Sequence, residues 1–174
     1  MVRKIKSLDD IWWKSINLPP TEIMKILDGT KTNFITRERY GKRFPKRRFW
    51  KDDYVFVRER WHPDFFKEDS FIYEVGTEKS HEYVNWNPPQ QMPREAGRIF
   101  VKIIKVERKH IWDLNLREIK GTGFKNELDF MAAWDIDHWK DGDRQEFNPM
   151  VRVHKFKRIQ IKKYGDGTVI RPRD

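Results

Sequence analysis

The apolar side of this 174-residue chain is built largely from rings, with eight Trp, twelve Phe and five Tyr against three Ala. A core assembled this way rests on few side chains, each burying roughly 150–250 Å². Disordered chains lack such residues because they have no interior to put them in. The apolar share is 37%, equal to the charged share of 37%, so one lean compact domain is expected and hardly two. The longest apolar run, residues 130–134, is far short of the ~18 residues of a membrane span. Residues 1–10 lack the apolar centre of a signal peptide. Cysteine is absent, which excludes disulfides, thiolate metal sites and cysteine nucleophiles and suits a reducing cytoplasm. The expectation is a cytoplasmic protein with no membrane partner.

Net charge is +10, and it is concentrated. Residues 37–51 hold Arg37, Arg39, Lys42, Arg43, Lys46, Arg47, Arg48 and Lys51 against the single acid Glu38, a net +7. Tyr40, Phe44, Phe49 and Trp50 are interleaved with these cations. Cations for phosphates beside planar rings for bases make the composition of a surface for single-stranded or flexible nucleic acid. A solvated loop that only aids solubility needs the charge but not four aromatics. A second basic stretch, Arg152 to Lys163, alternates with Val151, Val153, Phe156, Ile159 and Ile161. That alternation predicts a strand with one wet face. Acids gather instead in Glu127, Asp129, Asp135, Asp137, Asp141, Asp143 and Glu146. Residues 137–143 superficially resemble a calcium loop, but Trp139 stands where an oxygen ligand is needed. The five His are scattered, so neither a metal nor a cofactor is expected.

Spacing predicts a helix from Thr21 to Gly29 and strands over 32–37, 54–61, 71–75, 99–106 and 151–161. Residues 113–119 and 126–139 read as helices, and a last hairpin turns at Gly165-Asp166-Gly167. The organisation expected is an N-terminal arm over 1–20, one domain over 21–163 and a tail over 164–174. Strands with a few interposed helices suggest an α+β fold, a small barrel or strongly curved sheet with its cleft where loops meet the mouth.

Several segments carry a family resemblance. Ile26-Leu27-Asp28-Gly29-Thr30-Lys31-Thr32 leading to Thr36-Arg37 resembles the opening motif of ASCH domains. Asp52-Asp53-Tyr54-Val55-Phe56-Val57-Arg58-Glu59-Arg60-Trp61 is similar to their second motif. Gln91-Met92-Pro93-Arg94-Glu95-Ala96-Gly97-Arg98-Ile99, with Val106-Glu107-Arg108 and the strand over 151–159, resembles phage and prophage members. The resemblance covers about residues 21–161. It implies a PUA-like small β-barrel with short helices at its ends and a cleft for RNA, ahead of DNA, or for a nucleotide. For a phage protein the compartment is the host cytoplasm.

The candidate contacts are Lys31, Arg37, Arg39, Lys42, Arg43, Lys46, Arg47, Arg48, Arg58, Glu59, Trp86, Arg94 and Arg98. Lys31 lies between a helix end and a strand, a placement that can project an ammonium into a cavity. Glu59, if it shares the core face of Val55 and Val57, needs a cation such as Lys31, Arg94 or Arg98. That reads either as a structural ion pair or as a pocket carboxylate. Arg94 and Arg98, four apart, suit phosphate contact from one helical turn or the packing of a loop. An enzyme reading remains open, because some small bacterial ASCH proteins are amidohydrolases acting on acylated cytidine through a Lys, a Thr three residues on and a Glu on a following helix. Here the Lys is Lys31, but Phe34 holds the Thr position, leaving Thr32 or Thr36 as substitutes. The Glu position falls near Lys120, with Glu118 the closest carboxylate and Glu59 a further candidate. A third reading is a phage accessory factor whose basic segment binds an acidic protein.

Overall fold

The computed structural model describes residues 12–38, 49–67, 70–76, 84–138, 144–164 and 167–172, with side chains described up to 161. The fold is α+β with a mixed sheet, a second two-stranded sheet and few helices. The chain divides into two units. The first comprises Met1–Leu27, Tyr54–Lys102 and Arg158–Asp174, and the second Asp28–Asp53 and Ile103–Lys157. None of the described helices is long and apolar enough to cross a membrane.

In the first unit, β1 (Trp13–Asn17) runs parallel to β3 (Tyr54–Arg58). β3 in turn pairs antiparallel with the start of β6 (Phe100–His110), Tyr54 opposite Lys102 and Phe56 opposite Phe100. Successive strand residues point to opposite faces. One face buries Val55, Val57 and Val101 completely. The other packs Phe56 and Phe100 with Ile159, edged by Trp13, Tyr54 and Ile161. The unit also takes the end of β7 (Met150–Tyr164), which pairs antiparallel with β8 (Gly167–Pro172), Tyr164 opposite Gly167. Gly165 and Asp166 of the expected hairpin turn lie outside the described residues. Helix α1 (Pro20–Leu27) starts at a proline, whose missing N–H is no loss in a first turn. Thr21 therefore lies inside the helix and not at its cap. At the other end Arg158 donates to the Leu27 carbonyl (3.1 Å), which would otherwise lack a partner at a helix C-terminus.

The strand expected over 54–61 is two strands. β3 stops at Arg58, and the chain resumes in the small sheet as β4 (Trp61–Pro63) paired with β5 (Phe71–Tyr73). Between them the Glu59 amide faces the Met92 sulfur and Arg60 pairs with Glu74. The residues after β5 include two short 3-10 turns, Pro89–Gln91 and Arg94–Ala96.

In the second unit, β2 (Asn33–Arg37) pairs antiparallel with β7 from Asn33 opposite Lys155 to Arg37 opposite Val151. Helices α2 (Leu116–Lys120) and α3 (Glu127–His138) follow β6. Their core gathers Ile111, Leu114, Ile119, Phe130, Met131, Trp134, Val151 and Val153, flanked by Ile35 and Phe124. α2 begins with a reciprocal cap: Asn115 accepts from the Glu118 amide and Glu118 accepts from the Asn115 amide. The opposite face of β2 and β7 carries a ring cluster, Phe34 stacked on Phe156 (4.4 Å between centroids) and Phe49 edge-on to His154 (5.5 Å). The expected wet face of β7 is thus covered. Arg152 and His154 are buried, and each finds a polar partner there, Glu38 for the one and Thr36 for the other.

One close approach fixes the entry to β2. The Gly121 carbonyl accepts both the Thr32 and Asn33 amides at 2.7 Å. A Cβ on Gly121 would stand 2.3 Å from Nδ2 of the buried Asn33 side chain, which would have to give way.

Candidate functional site

Both ends of the basic segment lie in the second unit. At the first, Arg37 closes β2 and Glu38 follows, its amide donating to the Met150 carbonyl (2.9 Å). One Glu38 oxygen accepts from Arg108 and the other from Arg152. At the second end Phe49 is 1% exposed, in ring contact with Phe34 and His154. Trp50 beside it leaves half its surface in solvent, and its amide donates to Asp53. Asp52, at φ 71°, turns the chain back to pair with Ile103. The cations Arg39, Lys42, Arg43, Lys46, Arg47 and Arg48 lie outside the described residues. Residues 39–48 contain those six cations and no acid.

Lys31 is buried in the same unit. It bridges to Thr122, its ammonium donating to the Thr122 carbonyl (3.1 Å) and lying 5.8 Å from the Phe34 ring. It thus ties β2 to the end of α2. Thr32 is exposed, and its carbonyl accepts from Phe156. The Thr36 hydroxyl sits 3.0 Å from His154 Nε2.

Glu118 is the centre of a second network. Both its oxygens accept from Lys109 (2.9 and 3.0 Å), Lys155 is 3.5 Å away, and the Asn115 amide adds a fourth contact. Burial by itself pushes such a carboxyl up. Here the bonds from Lys109 and Asn115 and the charge of Lys155 outweigh it and hold Glu118 below the usual glutamate value. It stays ionised near neutrality and has no proton to donate. Lys155 also bridges to Glu107 (3.1 Å), which raises the lysine and, with Lys105 as the larger influence, lowers Glu107.

The first unit holds Arg58, Glu59, Trp86, Arg94 and Arg98. Glu59 is 1% exposed and meets Arg98 through two parallel bonds, both 2.8 Å. The fork geometry satisfies both carboxylate oxygens at once. Arg98 also donates to the Val75 carbonyl (2.6 Å) and stacks over Tyr73, 4.2 Å from its centroid. Tyr73 in turn donates to the Ala96 carbonyl (2.7 Å). Burial, with the Glu59 charge adding and Arg98 opposing, pushes the Tyr73 phenol up to about 12. Of the three cations that could have served Glu59, Arg98 is the partner. Arg94 opens a 3-10 turn and pairs with Glu95 (3.3 Å), so Arg94 and Arg98 do not share a helical turn. Arg58 lies over Phe56 with its Nε buried and without an acceptor among the described residues. Trp86 is half-buried.

Two arrangements have no counterpart in the sequence reading: the Glu38 clamp on Arg108 and Arg152, and the Glu118 junction. The one signal available was the density of charge on otherwise apolar strands, since a buried charge demands a partner. Among the described residues no group of three or more His, Asp or Glu is placed to hold a metal ion. Comparison with family models, with curated proteins and with solved structures finds no match to this chain.

Proposed function

We propose that the protein binds nucleic acid, single-stranded RNA ahead of DNA, through the basic aromatic segment 37–51, as an ASCH-type domain with a PUA-like barrel. The observation that carries this reading is the engagement of Glu38. The only acid of the segment spends both oxygens on Arg108 and Arg152. Its charge is therefore committed to arginines outside the segment, while residues 39–48 supply six cations and no acid of their own. Trp50, half-exposed beside Lys51, offers a ring face next to that charge. Base stacking on such a ring is worth about 1–3 kcal/mol and tolerates any sequence. Arg58, whose buried Nε has no acceptor among the described residues, and Trp86 are the contacts assigned to the first unit.

If about three to six phosphates are neutralised, log affinity for single strands falls with log salt at a slope of about −2 to −4. The replacement R43S/K46S/R47S/R48S should weaken binding to all sequences alike and flatten that slope by about 2–3. Fluorescence anisotropy with labelled oligonucleotides across a salt series measures both. A slope near zero in the parent protein, or an unchanged slope in the variant, rules the reading out.

A further inference from the structure

Helix α3 carries apolar residues on two sides. Phe130, Met131 and Trp134 are buried in the core of the second unit. Leu128, Ala132 and Ile136 follow one another at four-residue intervals and are exposed, Leu128 to 79% and Ile136 to 73%. Positions four apart lie one above another on a helix, so these three form a continuous outer stripe. An ordinary surface helix has one apolar stripe and a polar back. A second stripe on the back is the pattern of a helix packed from both sides.

The charge on α3 specifies what could pack there. Glu127, Asp129, Asp135 and Asp137 give the helix four carboxylates, and it contains no Lys or Arg. Asp129 and Asp135 fall on the two borders of the stripe by helical geometry. Asp129 is exposed, whereas both Asp135 oxygens accept from Gln145 (2.7 and 3.1 Å). Two copies of α3 face to face would set carboxylate against carboxylate, which opposes symmetric pairing through this face. We infer that the outer face of α3 is a docking site for a cationic amphipathic helix of a partner protein. Leucine-like side chains would lie along Leu128, Ala132 and Ile136, with Lys or Arg reaching the exposed Asp129. This surface is acidic and apolar, the reverse of the basic segment, and the inference does not depend on the nucleic-acid reading.

The test uses two synthetic peptides of identical Leu, Lys and Ala composition. In one the leucines are spaced three and four apart to make a single helical face, and in the other the order is shuffled. The spaced peptide should bind the full chain saturably, at least about tenfold tighter than the shuffled one, and weaken as salt is raised. L128S/I136S should reduce its affinity about tenfold while leaving the melting temperature in place, since both side chains are exposed. A132K, which puts a like charge in the middle of the stripe without disfavouring helix, should do the same. Equal binding of the two peptides, full binding to either variant, or no binding at all overturns the inference. Light scattering closes the remaining route. A parent dimer that either variant turns into a monomer would mean that a second copy covers the face, and the partner assignment would fall.

Discussion

Among the described residues each unit buries one glutamate almost completely, and the two solve the same problem differently. Glu59 in the first unit has one partner, a planar guanidinium that meets both oxygens in parallel. Glu118 in the second unit has several: Lys109 on both oxygens, Lys155 at longer range and the amide of its own helix cap. A single bidentate pair is geometrically exact but has no reserve. A junction of ammonium groups and an amide is looser, and it survives the loss of one member. Buried charge of the first kind should therefore fail abruptly on mutation, and of the second kind gradually.

The largest effect is expected at Arg98. R98A leaves Glu59 buried without a counter-charge, and such a loss costs about 3–5 kcal/mol. R98K should recover less than half of it, because a single ammonium nitrogen replaces a planar fork whose Nε and Nη2 together meet both Glu59 oxygens and the Val75 carbonyl. Urea denaturation of the two variants checks this, and equal stability of R98K and the parent would refute the exact-fit account. A middle-sized effect is expected at Glu118, where E118Q removes charge-assisted bonds worth about 1.5–3 kcal/mol. K155A should cost visibly less than E118Q, since Lys109 and Asn115 remain. A larger loss in K155A would mean that Lys155, not Lys109, anchors the junction.

Acid provides a second test of the Glu118 junction. Glu118 and Glu107 are held below their ordinary value of 4.5 in the folded protein. Their contribution is whole above that value and is lost as pH falls through the lower folded value. The parent should lose stability below about pH 4.5, and E118Q should show a flatter acid limb in the same titration. The smallest effect concerns Tyr73. Its neutral phenol is favoured by the fold, so its contribution is intact below pH 10 and drains away toward about 12. Y73F should remove one late step from the ultraviolet absorbance titration and cost about 1 kcal/mol through the bond to Ala96.

How far the sequence reveals this molecule depends on the range of the interactions involved. β2, the start of β3, the long β6 and β7, and helices α1 and α3 are written in local periodicity, and each lies within a few residues of its expected place. β1 is not, because Trp13–Asn17 buries only Ile16 and takes its strand identity from pairing with β3. The coverage of both faces of β7 is equally hidden. The partners that let Arg152 and His154 be buried, Glu38 and Thr36, lie 114 and 118 positions away along the chain. The need of Glu59 for a cation followed from its place beside Val55 and Val57, but choosing among Lys31, Arg94 and Arg98 required coordinates. The site shows the same division. The density of cations in residues 37–51 is plain in the sequence, whereas the commitment of Glu38 to two distant arginines is not.

Gly121 shows how little a glycine's backbone angles can say about why it is there. Its φ of −64° is open to every amino acid, so no conformational preference reserves the position. Space does: its carbonyl takes two amides of the incoming strand, and the side chains of Thr32 and Asn33 close over its Cα. An alanine would act as a wedge, prising the first residues of β2 from the end of α2 and pulling at the neighbouring contact between Lys31 and Thr122. A single methyl group would thus be felt as a shift in where a strand begins.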